Sequence, residues 1–328
     1  MKRIIVRLVI EGISMLIRYS LFVLAALAIT LISALAAADD WFPSRFGAED
    51  TLGAVALLSP EKVAAAAKLV KTGEVYALGV PTGPDSPAYG PRRYQMTILQ
   101  LDDGSGTPIG ANQLSGNDDL MNTWMGIGSQ IDGLGHIGIN HQYYNGLGAK
   151  DFVQVTGLGK FSIHEIPPIV GRGILLDMAS YFGEEILPPG KAFNKEDIEG
   201  AAKAQGITVK QGDVVLFHTG WLKVADQDGK KFMSGEPGLG IGGARYLVNQ
   251  GVVAVGSDTY GVEVIPFENR GQVFPVHQEL LTKGGVYILE NMDTRALAKD
   301  KANEFLFVLG QPRFVGAVQA IINPVAIR

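Results

Sequence analysis

The sequence predicts an α/β fold built on a mixed β-sheet, and three observations carry that prediction. Helical stretches and short apolar strand-like runs intermingle along the whole chain instead of segregating into blocks. With 47% apolar residues, a chain of 328 residues can bury a sizeable core. No strand, glycine-rich turn and helix follow one another as a dinucleotide fold requires. Gly238, Gly240, Gly242 and Gly243 precede a helix with no strand before them, and read as a loop.

The chain opens with a targeting segment over residues 1–38. Lys2, Arg3, Arg7 and Arg18 are basic, Tyr19 to Ala38 carries no charge, and Ala36, Ala37 and Ala38 close it as a signal peptidase site. Met15 offers a second start. Residues 39–328 are then one domain, exported to the periplasm or secreted. The alternative is an uncleaved apolar anchor helix in the membrane. Next, SPEKVAAAAKLVKTG reads as a helix with Ser59 as N-cap, Pro60 and Glu61 in its first turn and Gly73 as its stop. EVYALGV and YQMTILQL read as strands, and DDGSGTP as a turn. Further on, GRGILLDMA, DVVLFHTGW, GVVAVGSD, GVYILENM and FLFVLG read as strands. NKEDIEGAAKAQG, ARYLVNQG and HQELLTKG read as helices.

Composition excludes several chemistries. The chain has no cysteine, which removes disulfides, thiolate metal sites and a cysteine nucleophile. Loss of residues 1–38 takes the formal charge from −5 to −8, so bulk electrostatics give no support to nucleic-acid binding. Arg92-Arg93 and Lys230-Lys231 are isolated pairs and read as solvated surface. No Gly-x-Ser-x-Gly elbow is present for a serine hydrolase.

A metal site must therefore use imidazole, carboxylate or amide ligands. The densest source is SQIDGLGH, residues 129–136. On an extended strand Gln130 and Asp132 face the same side, and Gly133 and Gly135 let the backbone turn so that His136 joins them. Far downstream, His277 starts a helix and Glu290 ends an apolar strand, where a carboxylate wants a cation, a proton or a hydrogen-bond donor. Asp258 and Glu263 follow another strand as hydrogen-bonders near the site. Trp124, His141, Tyr143, His218 and Asp258 are candidates for the pocket wall, and His164 is read as surface.

These residues resemble the motif of the cyclase family, which includes kynurenine formamidases and isatin hydrolases. That motif is His-x-Gly-Thr-His-x-Asp-x-Pro-x-His, followed later by a His and a Glu. Gly128, Ser129, Asp132 and His136 hold the Gly, Thr, Asp and last His positions, and His277 and Glu290 match the later pair. The stretches FGAEDTLGAVALLSPEKV, LVKTGEVYALG, GRGILLD, DVVLFHTGW and SDTYGVEVIP extend the resemblance over most of residues 41–310.

The resemblance implies a swivelling β/β/α fold, a divalent metal, a homo-oligomer and hydrolysis of a small molecule's amide, N-formyl, cyclic amide or lactone bond. It implies that His136 is the general acid and base and that Asp132, His277 and Glu290 are metal ligands, and Gln130, next to them, is counted in the metal site as well. Beyond the conservative Ser129 for Thr, the chain departs from the motif where Gly126 and Gln130 stand in place of the first two histidines and Leu134 in place of proline. The pattern Gln-x-Asp-Gly-x-x-His is similar to that of one branch of the family. With two imidazoles gone, the expectation is a single ion, Mn²⁺ or Zn²⁺ by ligand type. The competing expectation is a periplasmic binding protein that keeps the fold without catalysis.

Overall fold

In chain order the main strands are β1 (Val75–Ala77), β2 (Tyr94–Gln100), β3 (Asn117–Thr123), β4 (Gln130–Asp132), β5 (Ile169–Asp177), β6 (Val214–His218), β7 (Ala254–Ser257), β8 (Tyr287–Glu290), β9 (Glu304–Leu309), β10 (Gln319–Ile321) and β11 (Val325–Ile327). Nine of them form one mixed sheet in the order β1-β11-β9-β5-β6-β7-β8-β4-β10. The structure is a computed structural model that describes residues 41–100 and 106–328. The leader expected at 1–38 and the first part of the DDGSGTP turn lie outside the described residues. Residues 42–328 fold as one unit.

The centre of the sheet, β5 to β8, is parallel. These strands read as unbroken apolar runs because both faces are covered; every residue of β6, β7 and β8 is buried. The flanks are antiparallel. On one side β9 pairs with β5, and β11 joins β9 to β1. On the other side β4 pairs with β8 and β10 pairs with β4.

The helices begin where their caps predict. Ser59 Oγ accepts the Lys62 amide at the start of α1 (Pro60–Ala67), and Asn194 and Asp197 form a capping box on α2 (Lys195–Ala204). α3 (Ile241–Gln250) starts inside the glycine-rich stretch expected to be a loop, with Gly240 as its N-cap, and ends on Gly251 in the left-handed conformation. The segment expected as one short helix is a helical turn, Pro275–His277, running into a π-helix, Gln278–Lys283. Among the described residues no helix is long and apolar enough to cross a membrane.

One expected strand stands apart. β2 pairs only with β3, in a two-stranded antiparallel arm of seven residue pairs. Both faces of the arm are exposed, including Ile98, Leu99, Leu120 and Met121. Its base carries Arg92 on one side and Trp124 on the other, so the arm springs from the wall of the site described next.

Candidate metal centre

The register of β4 against its neighbours creates the site. Gln130 lies opposite Glu290, and Asp132 opposite Ile288 on β8 and Gln319 on β10. Residues two apart on a strand share a face, and directly opposed residues sit within side-chain reach. Gln130, Asp132, Glu290 and Gln319 therefore converge on one face, while Ile131, Leu289 and Ala320 point into the core on the other.

The strand is held in that register from both ends. Ser129 Oγ donates to Asn291 O at 2.6 Å and accepts the Val80 amide at 2.8 Å, so this serine is a structural pin. Gly128 has φ +65, and a Cβ there would lie 2.0 Å from Thr82 Oγ1, which admits only glycine. After β4 the chain turns through Gly133, whose carbonyl accepts the His136 amide at 3.0 Å. The Pro275–Lys283 segment locks onto this turn: Thr282 Oγ1 donates to Ile137 O at 2.8 Å and Gln278 Nε2 to Gly138 O at 3.2 Å. Phe274 enters that segment in the left-handed region (φ 51) and lays its ring edge-on against His277, with centroids 4.9 Å apart.

One donor atom from each of Asp132, His277 and Glu290 lies within 4.8 Å of the others, and all three residues are buried. His277 Nδ1 hydrogen-bonds Glu263 Oε1, whose carboxylate also accepts the amides of Val276 and His277. That contact leaves Nε2 facing Glu290 Oε1 at 3.3 Å and Asp132 Oδ2 at 3.7 Å. A carboxylate behind an imidazole is the arrangement that orients a metal-binding histidine. Asp132 Oδ1 accepts Gln319 Nε2 at 2.6 Å, but Oδ2 is buried with no hydrogen-bond partner. A buried unpartnered acceptor costs about 1–3 kcal/mol, more when charged. The orphaned oxygen, the oriented imidazole and the adjacent glutamate fit a divalent cation.

Electrostatics point the same way. Burial pushes the Glu290 carboxyl up to about 7, with the neighbouring Asp132 charge adding to the shift. Burial pulls His277 down, but its contacts with Glu263 and Glu290 prevail and hold it at about 10. His136 behaves oppositely: burial lowers its pKa more than Asp132, 3.8 Å away, raises it. His136 is thus neutral near pH 7, with a ring nitrogen free to take a proton.

The cavity over this cluster has a volume of about 280 Å³ and is lined by Tyr89, Arg92, Gln130, His136, Ile137, Phe274, His277 and Glu290. Gln130 is placed as a hydrogen-bond donor and not as an oxygen ligand: Nε2 lies 2.6 Å from Glu290 Oε2 and 3.4 Å from Asp132 Oδ1. None of the five candidates for the pocket wall lines this cavity. Trp124 is half exposed at the end of β3, and His141 is exposed. Tyr143 packs edge-on against Phe152. Asp258 accepts the amides of Thr219 and Gly220 and the Thr219 hydroxyl, which makes it the staple of a turn. His218 bonds Thr294, and although burial lowers its pKa, Asp258 raises it above the ordinary value.

Tyr89, Phe274 and Arg92 were not foreseen in the cavity. Arg92, expected on the solvated surface, donates from Nη1 to Gly126 O at 2.7 Å. A Cβ on Gly126 would lie 2.4 Å from that same nitrogen. The guanidinium thus fills the space a side chain at position 126 would need. The only sequence signal for this was the glycine itself.

Glu290 and His277 each hold a proton more tightly in the fold than in the open chain. The stability they give the metal-free protein is present at low pH and is lost as pH rises, through about 7 for Glu290 and about 10 for His277. A cation replaces those protons, so metal binding at pH 7 should release about one to two of them. Calorimetry in buffers of different ionisation enthalpy measures this number. One ion bound per chain with proton release is expected in the wild type, and none bound in Asp132→Asn or His277→Ala. Binding without proton release contradicts the assignment.

The model of the family described as "Putative cyclase" matches residues 76–264. A search of curated proteins finds no significant match. A crystal structure of a novel cyclase aligns with 88% of this chain and 99% of its own, at 27% identity and TM-score 0.80. Isatin hydrolase A from Labrenzia aggregata, bound to benzyl benzoate, shares the fold over 77% of this chain and 93% of its own, at 19% identity and TM-score 0.56. Isatin hydrolase A from Ralstonia solanacearum does so over 77% and 91%, at 16% identity and TM-score 0.58. The match spans more than half of the chain, and the mixed α/β architecture agrees with these structures: the chain belongs to the cyclase family.

Proposed function

We propose that this chain is a metal-dependent hydrolase that cleaves an amide, N-formyl, cyclic amide or lactone bond of a small molecule, with His136 as general acid and base. The observation that carries this reading is the buried Asp132, His277 and Glu290 cluster, with its orphaned carboxylate oxygen beside a neutral histidine. Structural relatives named isatin hydrolase and metal-dependent hydrolase support it.

Asp132, His277 and Glu290 would hold the ion, and Glu263 and Gln319 keep those ligands oriented. Mn²⁺ and Zn²⁺ both suit this donor set. A divalent cation there would polarise an acyl oxygen and make a nearby water more acidic. His136 takes the proton of the attacking water as the new C–O bond forms, with Asp132 Oδ2 steadying the imidazolium. It then returns the proton to the leaving nitrogen or oxygen as the old acyl bond breaks. The products are a carboxylic acid and an amine or alcohol, joined in one molecule when the substrate is cyclic. Gln130 donates to Glu290 and Asp132 and so spreads their charge without a second ion.

The exposed arm supports a homo-oligomer, because a lone two-stranded ribbon with apolar side chains on both faces is marginal in water. The sequence of residues 1–38 supports export to the periplasm or beyond. Purified protein that begins at Asp39 and scatters light as an oligomer is the expected result. A monomer, or a retained leader, counts against each reading in turn.

The direct test is a screen of N-formyl amides, lactams and lactones with Mn²⁺, with Zn²⁺ and with chelator. Turnover should vanish with chelator. His136→Ala should lower kcat by about 10²–10⁴ while retaining the metal. A chain that binds these compounds but never turns them over with either metal is the inactive binding protein instead.

A further inference from the structure

Arg92 is the one guanidinium or ammonium group among the described residues lining the cavity, and none of their carboxylates forms an ion pair with it. Its only hydrogen bond among the described residues runs from Nη1 to Gly126 O, so none of those residues supplies an acceptor to the other guanidinium nitrogens. The acids of the site find other partners: Glu290 is bonded by Gln130 and His277, Asp132 by Gln319, and Glu263 by His277. The guanidinium is also held in place. Its carbon lies 5.8 Å from the centroid of the Tyr89 ring, which packs edge-on against both Tyr260 and Phe274. Gly126, buried, leaves open the volume that the guanidinium occupies.

We propose that Arg92 is the anion anchor of this cavity, and that the substrate is a small acyl compound bearing a carboxylate apart from the bond that is cleaved. The proposal deepens the hydrolase reading and rests on it for the word substrate. Three features favour this chemistry. A planar guanidinium pairs with a carboxylate through two parallel hydrogen bonds. A single guanidinium balances a single negative charge, and no second Arg or Lys lines the cavity. The cavity, about 280 Å³, is small enough that a molecule held by Arg92 also lies beside His136 and the metal ligands. Positioned this way, the carboxylate is neutralised by the guanidinium, and the acyl group is presented to His136.

Two measurements test the proposal on the full-length mature protein. The first is calorimetric binding of benzoate to chelator-treated wild type, Arg92→Lys and Arg92→Gln, with thermal melts confirming that each is folded. Removing charge-assisted hydrogen bonds should weaken binding by about ten-fold or more in Arg92→Gln, with Arg92→Lys between the two. No binding of millimolar benzoate by the wild type, or equal binding by Arg92→Gln, overturns the anchor. The second compares hydrolysis of N-formylphenylalanine with that of N-formylphenethylamine, which lacks only the carboxylate. The metal-loaded wild type should favour the acid, mainly through KM, and the ratio of the two kcat/KM values should fall towards one in Arg92→Gln. Turnover without charge preference overturns the substrate assignment and leaves the hydrolase reading intact. Absence of any turnover of this pair and of the screened amides, lactams and lactones, with benzoate binding still dependent on Arg92, removes the hydrolase reading and leaves the anchor.

Discussion

Two buried carboxylates on one face of a sheet are the constraint on which the rest of this site depends. The pairing of Gln130 with Glu290 across β4 and β8 brings Glu290 and Asp132 to the same face, out of reach of bulk water. Like charges in that position cannot both ionise without a positive partner. The protein supplies part of the compensation through Gln130, Gln319 and His277, and leaves Asp132 Oδ2 unmet. Of the other buried acids near the site, Glu263 and Asp258 accept backbone amides and are satisfied by the fold itself, whereas Glu236 accepts the Tyr260 amide at Oε2 and keeps Oε1 unmet.

The surrounding elements keep the two halves of the site in contact. Ser129 and Asn291 tie the start of β4 to the end of β8, and the π-helix carries Thr282 and Gln278 onto the turn that bears His136. A π-helical turn widens the ordinary register and is found often at functional sites. Here it follows directly on His277, whose ring is fixed by Phe274 on one side and Glu263 on another. The chemistry is thereby assigned to rigid elements, which is what a preorganised charge cluster needs.

Local chemistry made much of this legible in the sequence. The caps at Ser59 and Asn194, the apolar runs of β5 to β8 and the period-two spacing of Gln130 and Asp132 all translate directly into structure, because each depends on residues within a few positions. Asp132, His136, His277 and Glu290 stand out by residue type and strand position, while their separate roles are what the family resemblance implies. Cross-strand register was hidden, since β10, a strand no motif announced, supplies Gln319. The roles of Arg92 and Tyr89 were hidden for the same reason: a half-buried arginine and a surface arginine have the same local sequence. The separate arm was hidden as well, because YQMTILQL has the composition of a core strand and only tertiary packing leaves it exposed. Candidates chosen for nearness in sequence stand off the cavity: Trp124 sits at the base of the exposed arm, and His141 and Tyr143 lie beyond the turn after His136, with Tyr143 packed on Phe152.

The departures from the family motif also have a physical reading. Glycine at 126 admits the Arg92 guanidinium, and glutamine at 130 donates to the two carboxylates. Both exchanges put positive or hydrogen-bonding character where imidazoles would otherwise stand, consistent with one ion in place of two. Anomalous diffraction from crystals grown with Mn²⁺ and Zn²⁺ tests this most directly. A single peak within coordination distance of Asp132 Oδ2, His277 Nε2 and Glu290 is expected. A second peak beside Gln130 and Gly126, or no peak at this cluster, would contradict it.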